Sequence, residues 1–98
     1  MHLKIEFDKL AIEDQNDSFD WYENQKLGLG YSFLDDVEHT LNKISKNSTH
    51  FGFADDEKTI RDCLLTKFPF LIVYKIFENH ILIIAIHHTK KHPDKKVR

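Results

Sequence analysis

The sequence predicts an α+β fold with element order β-α-α-β-β-β, a helical hairpin packed on one face of a mostly antiparallel sheet. Three observations predict it. The first residues alternate polar and apolar, as a strand does. Residues 8–46 contain no proline and are interrupted once, at Gly28-Leu29-Gly30, which reads as two helices and a hinge. From about residue 57 the hydrophobic period changes to two and stays there to residue 89, which reads as a three-stranded antiparallel meander.

Within residues 1–7, Leu3, Ile5 and Phe7 share one side of the first strand. Asp8 is placed to cap the helix that follows. That helix, about Lys9 to Lys26, has no helix breaker and carries Glu, Gln, Lys and Leu. Its apolar stripe is narrow: Ala11, Ile12, Phe19, Trp21 and Tyr22. The Gly-Leu-Gly break is not a phosphate loop, because no strand precedes it and no Lys-Ser/Thr pair follows. The second helix, about Tyr31 to Lys46, has Phe33, Val37, Leu41 and Ile44 at core spacing. Lys43 and Lys46 suit the negative end of its dipole, and Asn47-Ser48 ends it.

Lys58 to Leu65 reads as a strand, Phe70 to Phe77 as the next, and His80 to His88 as the last, with Glu78-Asn79 turning between the final two. Pro69 stands near a strand start, where a missing N–H is tolerated. Phe70, Ile72, Tyr74 and Ile76 face one way, and Leu71, Val73 and Phe77 the other. Strands apolar on both faces belong at a sheet centre covered on both sides. The hairpin covers one face. The C-terminal tail, a second copy or a partner is left to shield part of the other.

A chain of 98 residues suits one domain, here 1–98, with residues 90–98 as a basic tail. With 41% hydrophobic and 31% charged residues it is globular, not disordered. No secretory leader is expected, and the apolar run Ile81–Ile86 is too short to span a bilayer, so the expected compartment is the cytoplasm. One cysteine, Cys63, cannot form an internal disulfide and reads as a buried thiol among Ile60, Leu64 and Leu65. Residues 1–60 carry 6 Lys/Arg against 13 Asp/Glu, and residues 61–98 carry 8 against 3. An anionic partner would therefore meet the C-terminal half.

The chain resembles the RelE/ParE toxins of bacterial toxin–antitoxin modules, often called plasmid stabilisation proteins. The resemblance rests on Trp21-Tyr22-Glu23 with Gly28-Leu29-Gly30, Phe33 and Val37-Glu38 on the second helix, and Ile60-Arg61 on the next strand. It continues through Phe68-Pro69-Phe70, Ile72-Val73-Tyr74-Lys75-Ile76, Ala85-Ile86, His88, Lys90-Lys91 and Pro93. The chain departs from the family pattern near its end. Asp94-Lys95-Lys96 lacks an aromatic, His92 stands where aspartate is usual, and Lys90-Lys91 replace arginines.

The resemblance implies a toxin held inactive by a cognate antitoxin, with no cofactor, as a homodimer or as a hetero-oligomer with that antitoxin. It implies one of two activities. A ParE-like toxin stops growth by binding DNA gyrase and is not an enzyme. A RelE-like toxin is a ribosome-dependent mRNA endonuclease. A third reading is a non-toxic member that retains only partner binding. The closer resemblance is to the ParE-like branch, whose binding role tolerates a net charge of −2 better than ribosome binding does. The antitoxin would supply the missing cover, as a helix in a groove or an added strand.

RNA cleavage through the 2′-hydroxyl needs a base, a cation for the phosphorane and an acid. Arg61 can offer a bidentate guanidinium, His88 can titrate near neutrality, and Lys90 and Lys91 can hold the backbone. The alternative is that Arg61 pairs with an acidic neighbour, His88 ends a strand and the lysines are solvated. His87, His88 and His92 do not read as a metal site, because adjacent strand residues point to opposite faces.

Overall fold

The computed structural model describes residues 3–90. Its elements are β1 (Lys4–Phe7), α1 (Lys9–Gln25), α2 (Leu29–Lys46), β2 (Arg61–Leu64), β3 (Phe70–Ile76) and β4 (His80–His88). They build a four-stranded sheet in the order β1-β4-β3-β2. The two most hydrophobic strands, β3 and β4, are thus its centre. β1 runs parallel to β4, and the other pairs are antiparallel. The parallel pairing follows from the connection, because the hairpin returns the chain to the far edge before the meander begins.

Both helices pack on one face. The core joins Ala11, Phe33, Val37 and Ile44 of the hairpin to Ile72, Tyr74, Ile81 and Ile83 of the central strands, all essentially without solvent exposure. At one end it becomes aromatic: the Phe33 ring lies 4.9 Å from Phe70 and 5.6 Å from Tyr22, which is itself 4.9 Å from Phe68. Such edge and offset contacts add specificity beyond area burial. On the opposite face no helix among the described residues covers Leu71, Val73 and Leu82, which are half-buried, or Leu64, which is 59% exposed. A bulge between Val73 and Tyr74 pairs them with Ala85 and Ile83 and keeps Ile83 and Ile86 facing the core.

Three elements differ from the sequence reading. The stripe of α1 is narrower still: Ala11 is buried and Phe19 and Tyr22 partly so, while Ile12 and Trp21 are 44% and 56% exposed. The hinge is Lys26–Gly28, and α2 begins at Leu29, with Gly30 inside it. Gly28 takes the left-handed φ of 91° that lets the chain reverse. A Cβ at Gly30 would lie 2.8 Å from both the Phe19 ring and its carbonyl oxygen, so the two helices touch there through backbone.

The third difference is β2, which starts at Arg61, not Lys58. Lys58 has a φ of 60°, which no strand accommodates. The Asp55 carboxylate accepts the Thr59 hydroxyl and the Thr59 and Ile60 amides, closing a turn over those residues. These bonds hold the Asp55 carboxyl below its ordinary range, the Thr59 hydroxyl contributing most. No helix among the described residues is long and apolar enough to cross a membrane.

Candidate functional site

The structure places Arg61 and His88 at different ends of the sheet. Arg61 opens the edge strand β2 and pairs with Tyr74 in register. His88 closes the central strand β4 and pairs with Phe70. Tyr74 and Phe70 stand four residues apart along β3, so the two backbones are about 13 Å apart along the strands and about 10 Å across them.

The Arg61 guanidinium is already engaged. Its Nη1 donates to the carbonyls of Phe51 at 2.6 Å and Thr49 at 3.2 Å, and the group lies 4.0 Å from the centre of the Phe53 ring. Those carbonyls belong to the loop that leaves α2, whose helix ends in negative dipole charge. Tyr74 serves the same loop from below. Its buried hydroxyl donates to the Ser48 carbonyl at 2.7 Å, and burial pushes its pKa up to about 12 despite the nearby Arg61 charge. Arg61 and Tyr74 together are a clamp on the α2 exit.

His88 is half-buried, its ring edge-on to Phe70 at 5.1 Å. Its Nδ1 accepts the Lys90 amide at 3.1 Å, so the neutral ring carries its proton on Nε2. Lys90 is exposed beside it. Lys91, His92 and Pro93 lie outside the described residues. His87 pairs with Leu71, and so projects from the face opposite His88. Among the described residues no group of three or more His, Cys, Asp or Glu side chains can hold a metal ion. Burial pushes the Cys63 thiol up, with the Lys43 charge opposing. Burial likewise raises Asp62 on the open face.

Two carboxylates that composition alone does not single out organise the frame. Asp36 is only 4% exposed, and it accepts the amides of Thr66 (3.2 Å), Lys67 (2.7 Å) and Phe68 (2.8 Å). It thereby fixes the β2–β3 loop that delivers the Phe68-Pro69-Phe70 step. The readable signal is its position, three residues after Phe33 and one before Val37, inside a core stripe. Glu23 accepts the amides of Gly28 and Gly30, each at 2.8 Å, and so caps α2 from the end of α1 where Gly28 offers no side chain. A cleft of about 370 Å³ lies beside Asp36, lined by Ser32, Asp35, Asp36, His39, Thr66 and Lys67.

The chain thus forms a two-helix clip, closed by Glu23 and Gly30, seated on a β1-β4-β3-β2 sheet, and solved structures share this overall fold. A chain of the "Chromosomal ParDE TA system from P. aeruginosa" superposes with a TM-score of 0.78 at 14% identity, covering 91% of this chain and 98% of that one. "The structure of YoeB dimer from Staphylococcus aureus" gives a TM-score of 0.61 at 20% identity, covering 87% and 94%. At these identities the likeness is one of fold. No protein-family model and no curated protein sequence matches the chain.

Proposed function

We propose that the chain is a single-domain, ParE-like toxin of a type II toxin–antitoxin module, which arrests growth by binding DNA gyrase and is neutralised by a cognate antitoxin. The fold shared with the ParDE chain supports the toxin role. The observation that favours binding over catalysis is the engagement of Arg61. Its guanidinium is committed to the Thr49 and Phe51 carbonyls and the Phe53 ring, away from the corner that holds His88. Moving it to a phosphate would leave Tyr74 alone to hold the α2 exit. The open sheet face around Leu64, Leu71 and Val73 suits an antitoxin segment.

A RelE-like, ribosome-dependent endonuclease is the second reading. It is favoured by one juxtaposition: a half-buried histidine and a lysine, His88 and Lys90, share the exit of β4. Induced expression without the neighbouring gene, and then with it, tests the toxin role. Growth should stop in the first case and resume in the second; normal growth on induction overturns both readings. Purified protein should then inhibit gyrase supercoiling while leaving messages intact. Cut messages with normal supercoiling would instead establish the nuclease.

A further inference from the structure

The side of the helical hairpin turned away from the sheet carries an apolar seam between two acidic ridges. Along α1, the positions that face α2 follow helical spacing through Ile12 and Phe19; Phe19 meets Gly30 and stacks edge-on against Tyr31 at 5.0 Å. Along α2, Tyr31 and Leu34 occupy the facing flank. Ile12 is 44% and Tyr31 61% exposed, and Phe19 and Leu34 are half-buried. Packing through Gly30 brings the two helices together at Phe19 and Tyr31, and helical spacing places Ile12 and Leu34 further along the same seam.

The flanks are carboxylates. Glu13, Asp17 and Asp20 stand exposed on α1, and Asp35 and Glu38 on α2. Between Lys9 and Lys43 the only other cation is Lys26, at the hinge. Among the described residues, no ion pair involves any of these five groups. Five like charges, unpaired among the described residues, stand beside an exposed tyrosine and isoleucine and repel one another. A cationic partner lying in the seam would relieve that repulsion while covering the apolar floor.

We propose that this outer seam is a docking groove for an amphipathic helix of a partner protein, one that carries Lys or Arg on both sides of its apolar stripe. The seam is bounded by two helices along its length, the geometry a third helix fills by laying its apolar stripe between them. Charge decides the class of partner, since an acidic helix would meet like charge on both ridges. The surface lies across the hairpin from the open sheet face, and its occupancy does not depend on the toxin reading.

The test uses the full chain and a synthetic amphipathic helix of about 18 residues, with a leucine stripe flanked by lysines. A twin has glutamates at the lysine positions, and a third peptide scrambles the lysine version. The lysine-flanked helix should bind by calorimetry and shift the amide resonances of α1 and α2, and neither control should do so. Y31A should weaken binding about tenfold, as expected for an aromatic anchor. Asp20→Lys and Glu38→Lys should each weaken it about three- to tenfold at low salt, and less at high salt. All three sites are exposed, and an unchanged melting temperature checks that each variant folds. Equal binding of the glutamate twin, or lysine-peptide binding indifferent to Y31A and to both charge reversals, overturns the proposal. So does a free chain that sediments as a dimer dispersed by Y31A, which would assign the seam to a second copy.

Discussion

Replacing Asp36 with alanine isolates the strongest polar contact in the fold. Its carboxylate accepts three successive amides, those of Thr66, Lys67 and Phe68, from a position only 4% exposed. A hydrogen bond to a charged acceptor contributes about 1.5–3 kcal/mol, and an amide left without a partner costs about 1–3 kcal/mol where water is excluded. Thr66 and Lys67 are exposed residues, so water can reach part of the vacated site. The expected net loss is therefore about 3–5 kcal/mol, at the low end of what three such bonds imply. For a domain near 100 residues that corresponds to a fall in melting temperature of roughly 12–30 °C. Asp36→Asn keeps one acceptor oxygen in nearly the same shape and should lose about half as much. Urea unfolding followed by circular dichroism measures both variants, with an unchanged m-value confirming that the shift is one of stability. A loss under about 1 kcal/mol for Asp36→Ala would show that the loop is held by the Phe68 and Phe70 packing instead.

Gly30→Ala should cost about 2–3 kcal/mol, because the new methyl meets the Phe19 carbonyl oxygen at 2.8 Å, and should exceed Gly28→Ala, where only the φ of 91° opposes a side chain; thermal melts rank the two. Glu23→Gln, with one carbonyl oxygen for two amides, should weaken the start of α2 by about 1 kcal/mol and speed hydrogen exchange at Gly28 and Gly30. Arg61→Lys should lose about 1–2 kcal/mol, since one ammonium cannot reproduce the guanidinium's contacts to Thr49, Phe51 and the Phe53 ring; growth arrest should survive if Arg61 is a clamp and disappear if it is catalytic. Tyr74 ionises only near pH 12 in the folded chain, above the ordinary tyrosine value of about 10. Its contribution is fully present below about pH 10 and is lost as pH rises toward 12, because the unfolded chain releases that proton first. Phenolate absorbance should show Tyr74 titrating last, and a Tyr74→Phe variant should lose that step.

The second helix and the central strands were readable because each repeats a hydrophobic period, whereas the first helix was read from its lack of breakers. Phe33, Val37 and Ile44 at helical spacing, and Phe70, Ile72 and Tyr74 at strand spacing, are the residues the core buries. The order of elements followed from the same patterns, whereas the resemblance to RelE/ParE toxins rested on motifs, Phe68-Pro69-Phe70 with the strand after it being the most specific. The start of β2 was misread because Thr59 and Ile60 are β-branched strand formers, whereas the Asp55 carboxylate and the left-handed Lys58 hold them in a turn. In α1, Ile12 and Trp21 looked like core by composition and are exposed, because a helix against a sheet buries only the stripe that points down.

The sequence by itself determined the fold class, the central place of the two most apolar strands, and an acidic front set against a basic back. Periodicity and charge are properties of the chain, and they survive without coordinates. Only the tertiary structure decided what the polar residues do. It turned Arg61 toward the loop after α2, set His88 at the far end of the sheet, and buried Asp36 beneath three amides. The physical reason is that a polar side chain takes its role from the partners that folding brings within hydrogen-bond reach, and those lie tens of residues away in sequence.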